Sequence, residues 1–154
     1  MSKLKIKTAA FYRVQLPKDT EELAGHLAKI KHEELTATQG TGSGFVNVTT
    51  HGELVAAFPG GYAFTLRVDE KIVPASVVAS ELVKWAEEFA NNSGYKPGRK
   101  ALKEAKESIL VGLLARALIR TKLVTAFYHK ESETLILPVG SKTLRNTFMA
   151  QLVR

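Results

Sequence analysis

The chain has 154 residues, 45% of them hydrophobic and 24% charged, with a formal net charge of +7; that is enough chain for one domain with an ordinary buried core. It contains no cysteine, which excludes disulfides, thiolate zinc sites and cysteine nucleophiles. The basic N-terminus lacks the apolar run of a signal peptide and no stretch approaches the eighteen or so apolar residues of a membrane span, so a cytoplasmic protein without a membrane partner is expected.

In chain order, Lys5 to Leu16 is rich in β-branched and aromatic residues and stops at Pro17, which predicts a strand. Asp19-Thr20-Glu21-Glu22 then opens a helix with acid at its positive end, and Leu23, Leu27 and Ile30 give helix 20–31 its apolar stripe. Glu34 to Thr38 reads as a short strand, Gln39 to Gly44 as a glycine-rich loop, and Phe45 to Thr49 as a strand. Two further strands, Glu53–Phe58 and Tyr62–Val73, are joined at Pro59-Gly60-Gly61 as a β-hairpin.

Pro74 suits the first turn of a helix. Val78, Leu82, Trp85 and Phe89 recur at helical spacing to about Ala90. Their pattern assigns Trp85 and Phe89 to a core or subunit interface rather than to base stacking. After the polar connection Asn91–Gly98, a second long helix is predicted from Arg99 to Thr121, with Leu102, Ala105, Ile109, Leu113 and Ala117 on one side. Lys122–Tyr128 and Thr134–Val139 read as strands, and Ser141 as the N-cap of a last helix with Leu144, Phe148 and Leu152 inward. Hairpin joins predominate, so the expected class is α+β: an antiparallel sheet with packed helices and a projecting pair of long helices, an αα-hairpin.

Positive charge is concentrated in one window. Lys96, Arg99, Lys100, Lys103, Lys106, Arg116, Arg120 and Lys122 stand there against only Glu104 and Glu107, a net +6 of the chain's +7. Arg99, Lys103 and Lys106 are four and three residues apart and share a helical face, while Arg116 and Arg120 form a second cluster one turn apart. Tyr95 beside the first cluster offers a ring to a sugar or base. Two such clusters could follow a phosphate backbone without reading sequence; the competing reading is a solvated basic face. Lys3, Lys5 and Lys7 alternate along the first strand as a secondary contact, or as a guard against edge pairing.

Catalytic signatures are missing. The Gly40–Gly44 run lacks the Gly-Lys-Ser/Thr ending of a phosphate-binding loop. His26, His32, His51 and His129 are scattered without metal-ligand spacing, Glu87 and Glu88 point to different sides of their helix, and Ser43, Ser76 and Ser141 have no visible activating base. A non-catalytic protein with no cofactor and no metal is expected.

The residues also resemble a known family. Phe11-Tyr12-Arg13-Val14 is similar to the end of the first strand in the recombination-associated RdgC family. The runs Gly52-Glu-Leu-Val-Ala-Ala-Phe58 and Leu66-Arg-Val-Asp-Glu-Lys-Ile-Val-Pro-Ala-Ser-Val-Val78 resemble its hairpin and the long helix that begins at the proline. The run from Lys103 to Leu118, with Leu113, Leu114, Arg116 and Ala117, looks like its second long helix. Thr134–Val139 and Ser141-Lys142 match the strand and helix that follow.

The resemblance implies a single RdgC-like domain over 1–154 with a helical-hairpin subdomain at 74–122. It further implies sequence-non-specific binding to duplex DNA, a dimeric or larger ring, and restraint of recombinases in the nucleoid. This chain departs from the family in stopping after its first half, in a shorter glycine-rich loop, and in Leu118, where an aromatic is expected. An open clamp therefore stands beside a closed ring, and a compact version of this kind suits a bacteriophage or mobile element. Two alternatives remain: a protein-interaction module that inhibits a host recombinase, nuclease or defence protein, and a single-strand binding or annealing protein in which Tyr95 or Phe127 stacks on bases.

Overall fold

A computed structural model describes residues 7–153. The elements are β1 (Ala10–Arg13), α1 (Thr20–Ala28), β2 (Thr41–Val46), β3 (Val55–Phe58), β4 (Gly61–Ile72), α2 (Ala75–Ser93), α3 (Arg99–Arg116), β5 (Leu118–His129), β6 (Thr134–Leu137) and α4 (Lys142–Leu152). The strands make one antiparallel sheet in the order β1-β6-β5-β4-β2, with β3 paired to β4. With its four helices this is the α+β class. The chain divides into two compact units: one takes residues up to Glu34, Gly42–Val68 and Thr121 onward, the other Leu35–Thr41 and Asp69–Arg120.

The first unit holds the main core. Alternation along β4, β5 and β6 turns Tyr62, Phe64 and Leu66, Val124, Ala126 and Tyr128, and Leu135 and Leu137 to one face, where all are buried. Helices α1 and α4 contribute Leu23, Leu27, Phe148 and Leu152 to the same cluster. Phe148 meets Phe45 edge-on at 5.9 Å between ring centroids, and Phe64 at 5.6 Å. Caps set both helices: Asp19 Oδ1 accepts from the Glu21 amide at 3.0 Å, and Ser141 Oγ accepts from the Leu144 amide at 3.4 Å.

Two buried tyrosines tie the exit of β1 to this core. The Tyr128 hydroxyl donates to the Val14 carbonyl at 2.9 Å and accepts from the Leu16 amide at 3.2 Å. The Tyr62 hydroxyl donates to the Pro17 carbonyl at 2.7 Å. Burial, with Tyr128 close by, raises the Tyr62 phenol well above its ordinary value.

Several predicted boundaries move. Helix α1 ends at Ala28 because the chain beyond it pairs with β2: the Phe45 amide donates to the Ile30 carbonyl and the His32 amide to the Phe45 carbonyl, both at 2.9 Å. That approach also makes the glycine run a strand rather than a loop, since a Cβ on Gly44 would lie 2.4 Å from the His32 Cα. No strand forms over Glu34–Thr38. The segment turns instead, with the Thr36 amide bonded to Gln39 Oε1 at 2.9 Å. Among the described residues strand β1 spans Ala10–Arg13, its pairing with β6 beginning at Leu137; Lys5 and Ile6 of the predicted strand lie outside the described residues. The β3–β4 hairpin forms as predicted, turning through Pro59 and Gly60 (φ +90°) with Phe58 paired to Gly61.

In the second unit α2 packs against α3, and Val78 and Ala105 are their buried residues. Pro74 is the N-cap of α2, which runs to Ser93, past the predicted Ala90. Gly94, at φ +80°, ends it in the left-handed conformation, its amide on the Ala90 carbonyl at 2.9 Å. The Lys71 ammonium donates to the Thr36 and Ala37 carbonyls at 2.6 and 3.1 Å, holding the 35–41 segment within this unit.

Candidate nucleic-acid interface

Helix α3 places the first basic cluster. At about 100° per residue, Arg99, Lys103 and Lys106 fall within roughly 60° of arc and about 10 Å of axis, with Lys100 about 100° to one side. Lys96 lies in the connection just before the helix. All five side chains are exposed. Lys106 also lines an apolar groove with Val73, Val78, Leu82 and Leu110, so its methylene stem rests on apolar surface while its ammonium reaches solvent.

The second predicted cluster does not form as a helical turn. Helix α3 ends at Arg116, and Ala117 adopts extended geometry (φ −70°, ψ 148°). Leu118 to Thr125, with its β-branched and alternating residues, continues as β5. Arg116 therefore closes the helix about 100° round from Arg99. Arg120 and Lys122 stand two apart on one side of a strand, and Lys122 belongs to the other compact unit. Arg116, Arg120 and Lys122 are exposed.

Among the described residues the eight cations have no carboxylate partner; Lys84 and Glu81 on α2 supply an ion pair at 3.6 Å. The start of α3 compounds this. Its N-cap, Gly98, has no side chain to bond the first amides, and its first turn holds no acid but begins Arg99-Lys100. Cations at a helix N-terminus oppose the macrodipole by about 0.3–1 kcal/mol each. The local sequence is thus arranged against helix stability and in favour of a positive surface.

The predicted secondary contacts fare differently. Lys3 and Lys5 lie outside the described residues. Lys7 is exposed but precedes β1, so it does not alternate along a strand. Tyr95 is 66% exposed and touches Phe89, their ring centroids 5.6 Å apart at 86°. Phe89 in turn lies 5.3 Å from Trp85. Trp85 and Phe89, expected in a core or a subunit interface, are half-buried, lie outside the main core cluster and join Tyr95 in this ladder. The signal available was weak, because Phe89 and Tyr95 meet across the left-handed Gly94, which breaks helical spacing. Among the described residues, no three His, Asp or Glu side chains gather as a metal site. No described helix is long and apolar enough to cross a membrane.

Comparison with known proteins sets this surface in context. A family model described as "Putative exonuclease, RdgC" matches residues 4–154. The Recombination-associated protein RdgC of Bordetella pertussis is 30% identical over 150 residues, 96% of this chain and 50% of that protein. Its namesake in Janthinobacterium sp. is 26% identical over 150 residues, with the same shares of each chain. That of Cupriavidus necator is 35% identical over 97 residues, 63% of this chain and 32% of the relative. The chain spans about half the length of the Bordetella and Janthinobacterium relatives, and its match covers about a third of the Cupriavidus one.

Proposed function

The chain belongs to the RdgC family, whose curated relatives are recombination-associated proteins, and from that footing we propose that it binds duplex DNA through the phosphate backbone and modulates homologous recombination. Lys96, Arg99, Lys100, Lys103 and Lys106 are the primary contacts in this reading, with Arg116, Arg120 and Lys122 secondary. One observation carries it: the cations that hold nearly all of the net charge are exposed and without carboxylate partners among the described residues. Such groups release condensed counterions when they meet phosphate, and backbone contacts of this kind do not read sequence.

The proposed role is non-catalytic, coating or encircling DNA as a homo-oligomer and restraining recombinase action in the nucleoid. The family description names an exonuclease, an activity that this reading does not assign to the chain. End-labelled duplex incubated with Mg²⁺ or Mn²⁺ is expected to keep its length; shortening overturns this part of the reading.

The direct test is a salt-titrated binding assay with the full chain and duplex DNA. Engagement of the five primary cations corresponds to a log–log salt slope of about −4 to −5. Replacing Lys103 and Lys106 together by Glu is expected to weaken binding equally for all sequences and to flatten the slope by about two. Unchanged affinity in that double variant refutes the site. A second reading, docking on a host recombinase, nuclease or defence protein, draws on exposed apolar side chains such as Leu118 (80%) and Val83 (58%). Capture of such a partner with no DNA shift at about 0.1 M salt favours that alternative.

A further inference from the structure

The connection between α2 and α3 carries an aromatic group that phosphate binding does not require. Tyr95 is two-thirds exposed, although most of a tyrosine's surface is apolar. Here the contact with Phe89 is edge-on, at 86°, so it leaves ring surface uncovered. Phe89 is braced by Trp85, 5.3 Å away and tilted 31°.

The backbone around Tyr95 is pinned on both sides of Gly94. The Ser93 hydroxyl donates to the Phe89 carbonyl at 2.6 Å and also lies 3.1 Å from the Tyr95 carbonyl. The Gly94 amide closes on Ala90. The ring is therefore held in place before any ligand arrives, which reduces the ordering entropy that binding would otherwise oppose.

Lys96, Arg99 and Lys100 follow within five residues of Tyr95, exposed and free of ion pairs among the described residues. A presented aromatic face beside three exposed cations is complementary to one ligand chemistry: a flat, π-faced base attached to a phosphate chain. Bases inside a duplex already stack on one another and offer no face. A nucleotide without a pairing partner does, and it needs no extrusion.

We propose that Tyr95, supported by Phe89 and Trp85, is a stacking platform for an unpaired nucleotide at a DNA end or a single-strand/double-strand junction. Lys96, Arg99 and Lys100 hold the flanking phosphates. This rests on the DNA-binding reading above and adds to it a preferred DNA form.

The test compares a blunt duplex with a duplex of equal phosphate count that ends in a short single-stranded overhang. A 2-aminopurine replaces the first unpaired base, and the full chain is used throughout. The protein is expected to bind the overhang about tenfold more tightly than the blunt duplex, and stacking quenches the 2-aminopurine fluorescence. Tyr95→Ala is expected to bring that ratio to about one and abolish the quenching, whereas Tyr95→Phe keeps both. Melting of each variant checks its folding.

Equal binding of blunt and overhang DNA by the unaltered protein overturns the platform and leaves the phosphate reading standing. Loss of both affinities in equal measure on Tyr95→Ala also overturns it, because it marks an ordinary duplex contact. No binding of either DNA at low salt overturns both readings together.

Discussion

Gly25 and Gly44 show how little of a residue's role lies in its type. Gly25 sits inside α1, and a Cβ placed there would meet nothing within 4 Å, whereas a Cβ at Gly44 would meet the backbone of Lys31 and His32 at 2.4–2.8 Å. Gly25→Ala is expected to raise stability by about 0.5–1 kcal/mol through helix propensity. Gly44→Ala is expected to lower it by at least about 2 kcal/mol by overpacking against backbone. Urea denaturation of the two variants measures both, and equal effects would contradict the pairing of β2 with the 30–32 segment. Tyr62 gives a pH signature. Its phenol is raised by burial first and by Tyr128 second, so the unfolded chain releases that proton near pH 10.0 while the folded chain still holds it. Stability attributable to Tyr62 is then fully present below about pH 10 and falls as pH rises above it. Tyr62→Phe is expected to lose about 1 kcal/mol at about pH 8, with the bond to Pro17, but to show a shallower alkaline decline. Thermal melts at about pH 8 and about pH 10.5 read this out; an identical decline in both proteins would show that Tyr62 does not govern it.

Helix α3 places stability and the proposed binding in opposition. Arg99 and Lys100 occupy its first turn with no capping side chain, an arrangement that the macrodipole disfavours. Lys100→Glu is therefore expected to stabilise the helix by about 0.5–1 kcal/mol and, in the same protein, to weaken duplex binding. Melting temperature and affinity should move in opposite directions; a parallel change would show that the charge at this helix start has no binding role. The helix was legible in the residues as far as its apolar stripe and its basic face. Its end was not. Leu118 to Lys122 carry the leucine and cations that suit a helix and the isoleucine and threonine that suit a strand. Leucine and arginine spaced four apart read as helix when no partner is visible, and the choice falls to β5 because the sheet sets β4 beside that strand. The glycine run of β2 was opaque for the same reason: a glycine chosen for close backbone approach looks, in isolation, like one chosen for flexibility. By contrast, the acidic helix opening at Asp19–Glu22, the Ser141 cap and the Pro59-Gly60 turn work over three or four residues and read correctly.

For the molecule as a whole, the proposed homo-oligomer makes a mass prediction. Sedimentation at about micromolar concentration is expected to show more than one chain per particle, with the exposed Leu118, Leu123 and Val111 as candidates for burial; a single-chain mass at every concentration refutes the assembly. Read alone, the residues decide that the chain is basic, folded and without thiol chemistry, that it belongs to the α+β class, and that most of its net charge lies between Lys96 and Lys122. These are matters of composition and of periodicity over a few turns, which near neighbours along the chain control. Folding decides which cations share a face, that Arg120 and Lys122 ride on a strand while Lys103 and Lys106 ride on a helix, and that Tyr95 joins Phe89 across a left-handed glycine. It also buries Tyr62 and Tyr128 against carbonyls of a distant segment. Each of those outcomes depends on contacts between residues far apart in the chain, and no local pattern encodes such a partner.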